Sequence, residues 1–205
     1  MSDEKVLTKE IAEQFLADDD SVDLREFTTI EDAAAESLSK YEGGPDDGDL
    51  WLNGLTELSD AAAESFSKHK GECLFLDGLT ALSDAAAESL SKHMGAPTLN
   101  GLTKLSDAAA DNLSRCEGGL WLNGLTELSD AAAESLRKNR GEFLFLYGLT
   151  SLSDAAAESL SKHAELGLNL DNLPESTAEI LRSHPSFTEN EDEHDDEEDD
   201  WDDED

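Results

Sequence analysis

Hydrophobic positions along this chain follow one short pattern many times over, and the pattern changes period halfway through each copy. Leu50, Trp51 and Leu52 alternate, so the two leucines face one side and Trp51 the other. Leu55 and Leu58 come next at a spacing of three, and Ala63 and Phe66, also three apart, share one face of a helix. The switch predicts a strand followed by a helix of about two turns over 61–69. Between them Gly54 permits a turn, and Ser59-Asp60 supplies an N-cap whose side-chain oxygen accepts amide hydrogens of the first helical turn. Glu64 lies near the positive end of that helix, and Lys68 with His69 near the negative end. Gly71 is expected to leave the helix with positive φ.

The pattern is copied almost literally. Residues 50–65, LWLNGLTELSDAAAES, return unchanged at 120–135. Residues 71–93 recur at 141–163 with only Cys73 to Phe143, Asp77 to Tyr147 and Ala81 to Ser151 altered. Both matches are offset by 70 residues, so a block of three units has been duplicated in one piece. The Asp that opens each Ala-rich run marks the unit, at Asp60, Asp84, Asp107, Asp130 and Asp154, with a looser example at Asp32. Its period is 23–24 residues, the range of a solenoid whose units bury their apolar faces only against their neighbours. A five-residue segment, 45–49, has no counterpart before Leu120 and reads as an exposed inserted loop.

Counted from the first strand leucine, apolar residues fall at positions 1, 3, 6, 9 and 17 of the unit, with Ser-Asp at 10 and 11 and Ala at 14. On Leu50, Leu52, Leu55, Leu58, Ser59, Asp60, Ala63, Phe66 and their counterparts, the chain over residues 5–184 resembles a divergent leucine-rich repeat, of the cysteine-containing, ribonuclease-inhibitor-like subclass. The resemblance implies an α/β fold: a right-handed solenoid with a parallel sheet on its concave face and short Ala-rich helices on its convex face. Two features depart from that family. Leu55, Leu79, Leu102, Leu125 and Leu149 stand where an inward Asn or Cys usually bonds the loop backbone, and glycine (Gly71, Gly141) replaces a leucine expected three places before LxL.

This reading divides the chain into an N-terminal capping helix (1–21), six strand-helix repeats, a C-terminal capping repeat (168–187) and a disordered acidic tail (188–205). The repeats are 22–49, 50–73, 74–96, 97–119, 120–143 and 144–167. Seven strands are expected, the first near Val22 and Leu24 and the last at Leu168 and Leu170.

Charge narrows the partners. The 205 residues hold 50 acidic and 14 basic side chains, a net charge of −36; residues 189–205 carry 14 of the acids, leaving −22 on the rest. Such a field repels phosphate backbones and anionic lipid, so neither nucleic acid nor a membrane surface is an expected partner, while basic proteins and metal cations are better ones. No apolar run approaches the ~20 residues that cross a bilayer, and MSDEKVLTKE lacks an apolar signal core, which predicts a cytoplasmic location by default. Cys73 and Cys116 correspond to Phe143 and Tyr41 in other copies, an interchange that suits packing and argues against a disulfide or metal role.

Candidate chemistry has to beat the repeat as its explanation. Ser-Asp recurs at one place in unit after unit, and capping accounts for it without catalysis. His69, His93 and His163 each lie in the last turn of a predicted helix, one per unit, and His69 becomes Asn139 in the copied block; solvent-facing imidazoles too far apart for one metal are expected. Asp46, Asp47 and Asp49 miss the order of an EF-hand loop. Neither enzyme, cofactor nor metal site is therefore expected. The strongest binding candidates lie on the strands. Position 2 carries Trp51, Phe75, Trp121 and Phe145, with Thr98 in the middle unit, and position 4 carries Asn53, Asp77, Asn100, Asn123 and Tyr147. Alternation points both sets away from the leucine core, onto the concave face. A row of exposed aromatics predicts capture of a protein or peptide partner. The competing expectations are a cross-strand aromatic ladder and self-association through the same face. A reading from another class makes the tail, with Trp201 among its acids, a cation-binding or basic-protein-binding buffer.

Overall fold

The structure, a computed structural model, describes residues 4–43 and 48–188. Residues 44–47, which include most of the inserted segment 45–49, and residues 189–205, nearly all of the acidic tail, lie outside the described residues, and with them the expectation that the tail is disordered. In chain order the elements are β1 (Val6–Leu7), α1 (Lys9–Ala17), β2 (Thr29–Ile30), α2 (Asp32–Leu38), β3 (Leu50–Trp51), α3 (Asp60–Phe66), β4 (Cys73–Phe75) and α4 (Asp84–Leu90). There follow β5 (Ala96–Thr98), α5 (Asp107–Leu113), β6 (Leu120–Trp121), α6 (Asp130–Leu136), β7 (Leu144–Phe145), α7 (Asp154–Leu160), β8 (Leu166–Gly167), α8 (Glu175–Arg182) and α9 (Pro185–Thr188).

Strand and helix alternate as the change of period predicts, and successive units lie side by side. The strands β3 to β8 form one parallel sheet in chain order, with Leu50 opposite Leu74 and Trp51 opposite Phe75. Every helix from α1 to α8 packs on the next one along. Leu50, Leu52, Leu55, Ala62, Ala63 and Phe66 have no solvent exposure, and their counterparts repeat this in the units that begin at Leu74, Leu120 and Leu144. A single unit offers its leucines no second side, so burial comes from the neighbours. The middle of the sheet is its thinnest join: Pro97 has no N–H to give, and β5 meets β6 at the single pair Thr98 and Trp121.

Three lines of polar side chains tie unit to unit. In the first, Ser59, Ser83, Ser106, Ser129 and Ser153 each cap a helix, as Ser59 does by accepting the amide of Ala62 at 3.0 Å. Each hydroxyl also donates to the aspartate of the preceding unit: Ser59 to Asp32, Ser83 to Asp60 and Ser106 to Asp84 at 2.5 Å, then Ser129 to Asp107 and Ser153 to Asp130. Ser-Asp thus serves both the cap and the stacking.

The second line corrects the expectation of solvent-facing histidines. His69 and His93 are 1% exposed, and their rings stack at 5.6 Å with Nδ1 of His69 3.3 Å from Nε2 of His93. His163 and His184 are also buried, and His184 Nε2 donates to the carbonyl of His163 at 2.7 Å. Asn139 takes the same place in the copied block, donating to the carbonyl of Cys116 at 2.9 Å and accepting the amide of Gly141 at 3.1 Å. After a two-turn helix the chain turns at once toward the next strand, and a ring there bonds the loop peptides that neither element satisfies. The departing glycine is not in the left-handed region either. Among the described glycines only Gly43 and Gly48 have positive φ. Gly71 is required by contact, since a Cβ there would come within 2.1 Å of the Gly48 carbonyl oxygen. Gly78 is held the same way, 2.2 Å from the carbonyl oxygen of Asn53.

Both ends differ from expectation. No strand forms at Val22 to Leu24, so the sheet has six strands among the described residues rather than seven. Asp23 accepts the amide of Arg25 at 3.0 Å, and that local turn takes the backbone that a ladder would need. β8 begins at Leu166, opposite Leu144, two residues before the predicted Leu168. Leu166, Leu168 and Leu170 alternate without a break, so periodicity alone leaves the frame open. At the N-terminal end β1 pairs with β2 in parallel, Val6 opposite Thr29 and Leu7 opposite Ile30.

Candidate functional site

The nine residues singled out on the strands lie along one band of the sheet, at positions 2 and 4 of successive units, and the two positions are used differently. At position 4 the side chains form the third line. Asn53 Oδ1 accepts the amide of Asp77 at 3.2 Å, and Asp77 Oδ1 accepts both the amide of Asn100 at 3.0 Å and its Nδ2 at 2.9 Å. Asn100 Oδ1 then accepts the amide of Asn123 at 3.2 Å, and Asn123 Oδ1 that of Tyr147 at 3.1 Å. This line ties the backbone just after each strand to the side chain of the preceding unit. All four polar residues are half-buried and their oxygens are engaged. The line stops at Tyr147, whose ring hands nothing on and is 50% exposed.

Position 2 carries the rings, in two groups. Trp51 and Phe75 stack at 3.8 Å with planes 7° apart. Thr98 follows, 4% exposed between the flanking strands, and its hydroxyl has no hydrogen-bond partner. Beyond it, Trp121 meets Phe143 edge-on at 4.3 Å, Phe143 stacks on Phe145 at 4.5 Å, and Phe145 touches Tyr147 at 5.6 Å. The cross-strand ladder expected as one use of these rings therefore exists. It leaves the two ends of the row uncovered: Trp51 is 41% exposed and Tyr147 50%, while Phe75, Trp121 and Phe145 between them are half-buried.

Phe143 was not among the sequence candidates, because its counterpart is Cys73 and it precedes the strand leucine. Alternation extended one step back would have found it, since 143, 145 and 147 share a side of the strand. A groove of about 500 Å³ beside Trp51, lined also by Tyr41 and Asp19, escaped sequence reasoning altogether. It is made by the missing first strand. A second groove of about 400 Å³ adjoins Tyr147, Leu170 and Phe187 at the far end.

The remaining titratable groups have structural explanations. Burial, and then the neighbouring His93, lower the pKa of His69 from 6.5 to about 4; burial lowers His93 and His163 as well. Burial pushes the Cys116 thiol up to about 12, and Cys73 is raised by burial and then by Asp49 and Glu72. Neither thiol is held as a nucleophile. Glu134 is lowered to about 2, chiefly by its hydrogen bonds with Arg137. Among the described residues the one group of acidic side chains close enough to share an ion is Asp18, Asp19 and Asp20, all at the surface end of α1. No helix among the described residues is long and apolar enough to cross a membrane.

These observations define a repeat α/β protein with a six-stranded parallel sheet, whose face away from the helices carries an aromatic row. No protein-family model matches the chain, and no curated protein matches it.

Proposed function

We propose that this chain is a non-enzymatic scaffold, a right-handed leucine-rich-repeat-like solenoid, that binds a protein or peptide partner across the concave face of its sheet. The observation that carries the reading is the exposure of Trp51 (41%) and Tyr147 (50%) at the two ends of the aromatic row. Ladder stacking accounts for the inner rings, whereas large exposed rings in line on a sheet face are a binding feature. The polar line at position 4 contributes by holding the strands in register, so Asn53, Asp77, Asn100 and Asn123 act as positioning residues, with the second oxygen of Asp77 and the side-chain amides of Asn53 and Asn123 left for a partner. A basic partner suits the charge of −36. Free thiols at Cys73 and Cys116 suit a reducing, cytoplasmic setting.

The test is capture by the immobilised chain in three forms: intact, lacking residues 188–205, and carrying Trp51→Ala with Tyr147→Ala. Both rings are about half exposed and lie outside the leucine core, so the melting temperature is expected to fall by several degrees as the contacts with Phe75 and Phe145 are lost, with the cooperative transition and the circular dichroism of the fold retained. Capture that survives tail deletion and is lost in the double variant supports the sheet face. Capture that disappears with the tail and is indifferent to the rings refutes it in favour of a tail acting as an acidic buffer.

A further inference from the structure

The two edges of the sheet end differently. At the C-terminal edge the amide of Leu166 in β8 donates to Ser186 Oγ at 3.0 Å, so α9 closes that side. At the N-terminal edge β3 pairs with β4 alone, because residues 22–26 run as a loop and a 3-10 turn; residues 25–28 nevertheless cover the turn after β3, with the Arg25 carbonyl oxygen 2.2 Å from where a Gly54 Cβ would sit and the Thr56 amide bonded to the Thr28 carbonyl at 2.9 Å, so the open edge is Leu50–Trp51. The groove of about 500 Å³ lies beside this unpaired edge.

Its chemistry is one-sided. Trp51 forms part of its wall; Phe75 covers one face of the indole, and the other face is open to the groove. Asp19, Asp20 and Asp49 also line it. Asp19 accepts the Tyr41 hydroxyl at 2.8 Å and Asp49 the amide of Cys73 at 2.7 Å, bonds that fix the two carboxylates without neutralising them. The one basic lining residue, Arg25, is already held by Asp23 through Nε at 2.8 Å and Nη2 at 3.0 Å. Three carboxylates beside a free indole face thus have no cationic partner among the described residues.

From this geometry we infer that the groove takes the side chain of an arginine carried on an extended peptide that lies along β3. The guanidinium stacks on the open face of Trp51 and forks between carboxylates, while the peptide backbone passes the edge at Leu50–Trp51 and stops short of the turn that residues 25–28 cover. Arginine fits better than lysine, because a planar cation can stack and bond in its own plane together. The inference deepens the concave-face reading and rests on it in taking Trp51 as a binding residue; it adds the chemical class of the partner and the end of the face at which the partner anchors.

The test uses the full chain, 15N-labelled, with the Trp51 indole signal assigned by its loss in Trp51→Phe. The probe is a capped hexapeptide that alternates threonine and valine around one central arginine. It should shift the Trp51 signal, and the same peptide with citrulline, a neutral isostere, should bind at least about fivefold more weakly. Asp20→Asn, at an exposed carboxylate, should weaken binding about threefold, and raising sodium chloride from about 50 to about 500 mM should weaken it further. Equal binding of the citrulline peptide overturns the inference, as does an equal shift produced by calcium chloride alone at matched ionic strength. A peptide that moves the Trp121 signal and leaves Trp51 still would place binding elsewhere on the face, sinking the groove while sparing the broader reading. No movement at any indole with millimolar peptide sinks the groove as well.

Discussion

Replacing His69 by asparagine should reverse its own effect on stability between neutral and mildly acid pH. The imidazole is 1% exposed and its pKa stands at about 4 against an ordinary 6.5. The folded state therefore binds this proton less well than the unfolded state, and the neutral ring's contribution is fully present above pH ~6.5 and lost as pH falls toward ~4. A shift of that size corresponds to about 3 kcal/mol in the limit of low pH, and to about 2 kcal/mol at pH 5. The chain itself names a suitable replacement. Asn139 occupies the equivalent place in the copied block and bonds the Cys116 carbonyl and the Gly141 amide without titrating. Near pH 7.5 His69→Asn loses the ring stacked on His93, and should be less stable than the parent by up to about 1 kcal/mol. At pH 5 the order should invert, because the parent has lost about 2 kcal/mol that the variant never had to lose. Urea unfolding followed by circular dichroism at both pH values measures this. The difference between the two proteins isolates the histidine from the many carboxylates, which titrate alike in both. Stabilities that fall in parallel from pH 7.5 to pH 5 would refute the argument and mean that the buried imidazole accepts its proton at little cost.

Gly78→Ala should destabilise by several kcal/mol, as a Cβ would sit 2.2 Å from the carbonyl oxygen of Asn53; a loss of under about 1 kcal/mol in thermal unfolding would show that the strands separate easily. Ser83→Ala removes the cap of α4 and the bond to Asp60 together and should cost about 1–2 kcal/mol by urea titration, more than a cap on an isolated helix. Cys116, 1% exposed with its thiol at about 12, should resist a disulfide-exchange reagent at pH 8 until the protein unfolds, whereas half-buried Cys73 reacts first; equal rates would contradict the packing around Cys116.

The interior of the fold was legible because the chain repeats it. Leu50, Leu52 and Leu55 return with their spacing intact, Ser59-Asp60 returns as a cap, and comparison of copies separates what packing demands from what drifts. Other parts were hidden for physical reasons. His69 reads as a polar helix end, and its burial depends on a turn tight enough to fold the next strand over it. The double use of Ser83 depends on the distance between units, which no single unit contains. Leu166, Leu168 and Leu170 fit two strand frames equally well. The aromatic row was visible from strand alternation, yet the groove beside Trp51 arises where the pattern fails, at Val22 to Leu24, and a missing strand leaves no positive mark on a sequence.

Hydrogen exchange of the chain alone and with its captured partner tests the central claim most directly. The account predicts slowed exchange at strand amides that face the aromatic row, in 50–53, 73–77, 120–123 and 144–147, with 60–66 and the other helices unchanged. Protection confined to the helices, or to residues beyond 188, would contradict it.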